Sequence, residues 1–218
     1  MPADVVSSGA VALAGLVGYL VGSFSSGYFV GKLYRNVDLR TLGSGSTGAT
    51  NTWRNLGPGA GVLVGVIDIA KGALAVFLAQ LTVPLLGPEA ALAAQALAAI
   101  GAVAGHCWPL TLQGRGGRGI ATGVGALLFL ASPTVVFALL FFGIGVAVTR
   151  VISIGSLSAV LGAFVGYLIL SWLGVIDFHW APLAFIVVGG AMVYVRHIAN
   201  IKRILAGREP RIGEPLRP

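Results

Sequence analysis

The spacing of apolar segments constrains this chain more than anything else in it. They run over residues 9–31, 58–80, 88–108, 119–131, 133–149, 153–173 and 178–196. A helix that crosses a hydrocarbon core needs about 20 such residues, so 119–131 and 133–149 are short. Ser132-Pro133 divides what would otherwise be one long apolar run, and proline there turns the chain between two helices. Of 218 residues, 56% are hydrophobic and 10% charged, with mean hydropathy +0.92. That leaves too little polar surface for a soluble domain. The pattern predicts one all-α integral membrane domain over residues 1–218, with about seven transmembrane helices.

Charge orients those spans. Lys32, Arg35, Arg40 and Arg54 fall between the first two segments, and Arg115 and Arg118 follow the third. Arg150 follows the fifth, and Arg196, Lys202, Arg203, Arg208, Arg211 and Arg217 follow the seventh. With seven crossings, all these cations share one face, and the other face holds Asp4, Glu89, Asp177 and His179. Cationic loops stay in the cytoplasm, so the N-terminus is expected outside and the C-terminus in the cytoplasm. The first cation is Lys32, so the first segment is expected to remain as a span and not to be a cleaved leader.

The same parity gathers every polar, motif-like stretch on the cytoplasmic face: loops 40–57, 105–123 and 149–156 and the tail 196–214. The first contains "TLGSGSTGATNTWRNLG". Gly43-x-Gly45-x-x-Gly48 imitates a dinucleotide fingerprint, with Asp68 at the ribose-acid distance. No buried strand precedes it, however, and Asp68 lies in an apolar segment. A P-loop is excluded as well, because no Gly-Lys-Ser/Thr follows. The underlying physics remains. Glycine-rich turns present successive N–H groups, and a following helix N-terminus adds a positive dipole end. Ser44, Ser46, Thr47, Thr50 and Asn51 add hydrogen bonds, and Arg54 adds a planar fork suited to phosphate. Gly114, Gly116, Gly117 and Gly119 repeat the arrangement around Arg115 and Arg118. Two anion cradles on one face predict two phosphate-bearing ligands, or one phosphate held by both. The bland alternative is basic loops that set topology and touch anionic lipid headgroups. It covers Lys202 and Arg203 but not the interleaved glycines and hydroxyls.

His197 and Asn200 share a helical face at the end of the last segment, and His106 closes the third. Each histidine there is a base, a phosphate donor or an interfacial anchor. Asp68 and Lys71 are i, i+3 within an apolar segment and are expected to pair. Gly57-x3-Gly61-x3-Gly65, Gly18-x3-Gly22 and Gly101-x3-Gly105 predict close helix crossings. The lone Cys107 allows no internal disulfide or cysteine-based metal site, and the histidines lack ligand spacing. No metal, cofactor or nucleic acid is expected; membrane lipids are.

"GSGSTGATNTWRNLG", "DIAKG", "GHCWPLTLQGRGGRGIAT", "SIGS" and "RHIANIKRILAGRE" occur in this order over about residues 20–214. Together they resemble the bacterial membrane acyl-phosphate:glycerol-3-phosphate acyltransferases, the PlsY family. The resemblance implies a seven-span protein of the bacterial inner (plasma) membrane with its active site facing the cytoplasm. It implies transfer of an acyl chain from acyl phosphate to the 1-hydroxyl of sn-glycerol 3-phosphate. The products are 1-acylglycerol 3-phosphate (lysophosphatidic acid) and phosphate, the opening step of phospholipid synthesis. The His-x4-Asp motif of other glycerolipid acyltransferases is absent after both His106 and His197. The family commonly has Asn-Pro where this chain has Ser46-Thr47, and lysines where it has Arg115 and Arg118.

Carried onto this sequence, the resemblance implies that the phosphate loop includes Ser44, Thr50, Asn51 and Arg54, that Arg115 and Arg118 supply the second-loop cations, and that Ser153, His197 and Asn200 form the pocket for glycerol phosphate. Taken with the loop readings above, Ser44, Arg54, Arg118 and His197 are expected to be catalytic. Gly43, Gly45, Ser46, Thr47, Gly48, Thr50, Asn51, Lys71, His106, Arg115, Gly116, Gly117, Ser153 and Asn200 are expected to contact substrate. The donor's own phosphate is the implied proton acceptor, with His197 as the alternative. A transporter for an organic phosphate is the competing class, but transporter sites lie near the midplane, whereas these polar groups collect on one face.

Overall fold

The computed structural model describes residues 3–214, so Arg217 lies outside the described residues. All regular elements among them are helical. They are α1 (Ala3–Gly22), α2 (Ser26–Arg35), α3 (Ala49–Leu56), α4 (Pro58–Gln80), α5 (Val83–Leu86), α6 (Pro88–Cys107), α7 (Ile120–Leu130), α8 (Thr134–Thr149), α9 (Ile152–Trp172), α10 (Trp180–Arg196) and α11 (Ile198–Leu205). Short 3-10 turns at Leu39–Thr41 and Leu110–Leu112 begin the two glycine-rich loops.

Four helical stretches are long and apolar enough to cross a membrane: Ser8–Arg35, Pro58–Leu86, Pro88–Leu112 and Ile152–Trp172. A fifth exists if α10 and α11, bent by 60° at His197, form one span. Helices α7 and α8, with 11 and 16 residues, are about 16 and 24 Å long. Both fall short of an about 30 Å hydrocarbon core. The seven apolar segments thus each appear as helix, while the length criterion alone supports four or five crossings.

The first segment is not one continuous helix. It breaks at residues 23–25, and the break frees the Phe24 carbonyl, which accepts from Lys71 Nζ at 2.8 Å.

Glycine sets the packing. A Cβ on Gly22 would lie 2.7 Å from the Ala102 backbone, and one on Gly101 would lie 2.8 Å from Tyr19 N. The Gly18-x3-Gly22 face of α1 and the Gly101-x3-Gly105 face of α6 therefore interlock backbone to backbone. Gly61 of α4 likewise admits Trp53, seating the short α3 on the start of α4. The main core lies between α6, α7, α8, α9 and α10, around buried Val103, Leu127, Tyr167 and Phe185. A smaller cluster of Val30, Leu39, Leu56 and Val64 supports the first loop from beneath.

Candidate active site

The first loop owes its shape to Asn51. Its side-chain amide donates to the carbonyls of Leu39, Leu42 and Ser46 at 3.3, 3.0 and 2.8 Å. Its Oδ1 accepts from Ser44 N at 3.0 Å and Asn55 Nδ2 at 3.1 Å. Gly43 and Gly45 turn the chain there with φ of +54° and +68°. The loop closes on α3, whose first-turn N–H groups have no intrahelical acceptor. The second loop folds back on the end of α6: Gly116 N donates to Cys107 O and Gly117 N to His106 O. It ends at Gly119, the cap of α7. The loops touch, with Thr47 N 3.5 Å from Gly116 O.

Between them lies a cleft with room of about 180 Å³. Gly48, Ala49 and Thr50 bring the N-terminus of α3 to its wall, and Gly119, Ile120 and Ala121 bring that of α7. Arg54, Arg118, His106, His197, Ser44 and Ser46 also line it. Neither Arg54 nor Arg118 is ion-paired among the described residues. Burial, assisted by the neighbouring arginines and opposed by Glu209, lowers Arg118 to about 10, so it stays cationic at neutral pH. Burial also lowers Arg54, again opposed by Glu209. Two helix N-termini and two unpaired guanidinium groups facing one cleft have the chemistry to hold an anion such as phosphate.

His197 sits at the α10–α11 break. Its Nδ1 lies 2.8 Å from the Val193 carbonyl, so Nδ1 carries the proton and the neutral ring keeps Nε2 as an acceptor. His106 lies across the cleft, with Nδ1 3.4 Å from Asp68. Asp68 also accepts from Ser26 Oγ at 2.7 Å and pairs with Lys71 at 3.0 Å, the expected i, i+3 contact.

Several expected contacts are placed elsewhere. Asn51 spends every polar side-chain atom on the loop, so it shapes the cradle and is not a free ligand donor. Lys71 is committed to Asp68 and Phe24. Arg115 is exposed, and Arg118 is the second-loop cation in the cleft. Gly43, Gly45, Thr47, Gly116 and Gly117 are not among the residues that line the cleft. Ser153 and Asn200 both bind Glu209, at 2.8 and 2.5 Å, and Arg203 binds its other oxygen at 2.6 Å. Burial would raise the Glu209 carboxyl, but these three hydrogen bonds outweigh it and hold the carboxyl below its ordinary value.

Glu209 and Arg196 were not singled out from sequence. Glu209 is the first acid after Asp177, in a tail whose other charges apart from Glu214 are basic, which was the available signal. Arg196 resembled one more topology-setting cation.

A family model described as glycerol-3-phosphate acyltransferase matches residues 12–207. A glycerol-3-phosphate acyltransferase of Synechococcus sp. (strain CC9902) is 43% identical over 198 residues, covering 91% of this chain and 93% of that one. Glycerol-3-phosphate acyltransferase 3 of Dehalococcoides mccartyi (strain CBDB1) is 37% identical over 211 residues, covering 93% and 95%. Crystal structures of PlsY, an integral membrane glycerol 3-phosphate acyltransferase, share the fold. Its glycerol 3-phosphate form has TM-score 0.80 at 32% identity, covering 93% of this chain and 96% of that one. Its lysophosphatidic acid form has TM-score 0.77 at 31% identity, covering 92% and 94%. Matched along nearly its whole length in sequence and in fold, this chain belongs to the PlsY family of glycerol-3-phosphate acyltransferases.

Proposed function

We propose that the chain transfers an acyl group from acyl phosphate to the 1-hydroxyl of sn-glycerol 3-phosphate, releasing lysophosphatidic acid and inorganic phosphate. The observation that carries this reading is the pair of helix N-termini, with unpaired Arg54 and Arg118, on a single cleft. Both substrates bear phosphate, and the cleft holds anion-binding groups on both walls. The relatives' names supply the acceptor, and PlsY crystallised with glycerol 3-phosphate and with lysophosphatidic acid supports the same pair here.

Attack of the hydroxyl on the acyl carbonyl builds charge on its oxygen. Ser44, the first N–H groups of α3 and Arg54 stabilise that charge. The C–O bond to phosphate breaks, and Arg118 with the α7 N-terminus receives the departing dianion. Phosphate is already a good leaving group, so positioning supplies most of the acceleration. The hydroxyl proton passes to the donor's phosphate. His197 Nε2 accepts a hydrogen bond from the acceptor and orients it.

Seven crossings complete the topology, with α7 and α8 as short spans, the N-terminus outside and the cleft on the cytoplasmic face of the bacterial inner membrane. The charge distribution supports this orientation.

The donor is tested with purified protein in lipid, labelled glycerol 3-phosphate, and palmitoyl phosphate or palmitoyl-CoA in parallel. Labelled lysophosphatidic acid from palmitoyl phosphate alone is expected. Product from palmitoyl-CoA alone would overturn the donor assignment.

A further inference from the structure

Arg196 is the last residue of α10, immediately before His197, and it does not line the cleft as Arg54 and Arg118 do. Its Nε donates to the Gly117 carbonyl at 3.0 Å and its terminal nitrogen to the Gly116 carbonyl at 3.1 Å. Its guanidinium lies 5.8 Å from the centre of the Trp108 ring. The Trp108 carbonyl in turn accepts from Tyr19 Oη at 2.8 Å, so the clamp is braced by α1. A planar fork on successive carbonyls fixes two peptide planes at once.

The consequence lies on the reverse side of those planes. The peptides are trans, so a carbonyl held towards Arg196 turns the N–H of the same peptide the opposite way. The Gly117 N–H produced in this way is spent on His106 O at 3.0 Å. The next one, Arg118 N–H, has no protein acceptor among the described residues. It directly precedes Gly119 and the first turn of α7, which line the cleft. We propose that Arg196 is a positioning residue: by holding the Gly116 and Gly117 carbonyls it aims Arg118 N–H and the α7 N-terminus at a substrate phosphate. This rests on reading the cleft as a phosphate site.

Without the guanidinium the glycines have no side chain to keep these peptides in place, because glycine samples both signs of φ freely. Losing charge-assisted hydrogen bonds of this kind lets the loop leave this geometry about 10- to 150-fold more often. The expected effect is local to the loop and is read as weaker binding of a phosphate ligand.

The test uses the full chain in lipid nanodiscs, as wild type, Arg196→Ala and Arg196→Lys. Calorimetry gives the Kd of glycerol 3-phosphate and of inorganic phosphate, and steady-state kinetics give KM and kcat for each substrate. Arg196→Ala should raise KM for at least one phosphate substrate, or the Kd of one phosphate ligand, by about tenfold or more. Added methylguanidine should restore part of that loss. Arg196→Lys, which offers a point charge without the fork, should fall between the two. Unchanged KM and Kd in Arg196→Ala would overturn the proposal, as would a fall in kcat and thermal stability together that methylguanidine does not relieve. If wild type binds glycerol 3-phosphate but turns over no acyl phosphate, the reaction assignment fails while the Kd comparison still decides the role of Arg196.

Discussion

Asn51→Ala separates a loop organiser from a phosphate ligand. The substitution removes five hydrogen bonds, but their loss is unequal. Leu39 O keeps Leu42 N at 3.3 Å, and Leu42 O keeps Gly45 N at 3.0 Å. Ser46 O and Ser44 N lose their recorded partner. Each stranded polar group costs about 1–3 kcal/mol, so the pair destabilises the loop by about 2–6 kcal/mol. That corresponds to opening at least about 30-fold more often. Hydrogen exchange read by mass spectrometry, in detergent or nanodiscs, reports this locally. Amides of residues 42–51 should exchange at least about 30-fold faster in the variant, while those of α9 stay unchanged. Asn51→Asp should behave like the alanine, since it faces three carbonyls with an acceptor. Normal exchange over 42–51, with only a raised KM for a phosphate substrate, would refute the reasoning and make Asn51 a direct ligand.

Other expectations follow from the same geometry. Arg118→Ala should raise KM for a phosphate substrate about 10- to 150-fold, whereas the exposed Arg115→Ala should stay within about threefold; equal effects would remove the distinction between them. Gly22→Leu sets a side chain against the Ala102 backbone and should abolish a monodisperse peak on size exclusion, whereas Gly143→Ala, with nothing within 4 Å, should not. Glu209 has a lowered carboxyl pKa when folded, so its contribution is complete above its ordinary value of 4.5 and disappears as pH falls through the folded value. Proteolysis of the tail should therefore accelerate only below about pH 4.5 in wild type and be fast at all pH in Glu209→Ala; identical profiles would contradict the tether.

Much of this arrangement was legible in the chain because apolar runs and glycine-rich loops are local signals. Six of the seven apolar segments coincide with single helices within about two residues, as with 58–80 and α4. The exception, 9–31, breaks at residues 23–25, where the freed Phe24 carbonyl accepts from Lys71, a partner 47 residues away that no local pattern reveals. The cleft residues Ser44, Ser46, Gly48, Thr50, Arg54, His106, Arg118 and His197 were all visible as small, hydroxylated or cationic groups on one face. What each side chain does there was not visible. Asn51 and Arg54 read alike as phosphate contacts, yet one is consumed by the loop and the other remains unpaired. Ser153 and Asn200 read as substrate contacts, yet both meet Glu209 from distant points in the chain. Residue types suggest anion-binding chemistry, and tertiary hydrogen bonding decides which side chains stay free for it.

The central claim is acyl transfer at the carbonyl carbon of an acyl phosphate. A single-turnover reaction with palmitoyl phosphate carrying oxygen-18 in the bridging position tests it directly. Label should leave in inorganic phosphate, with unlabelled lysophosphatidic acid formed in equal amount. Label retained in free palmitate would mean attack at phosphorus, and labelled phosphate with free palmitate but no lysophosphatidic acid would mean hydrolysis at the carbonyl; either result would contradict acyl transfer.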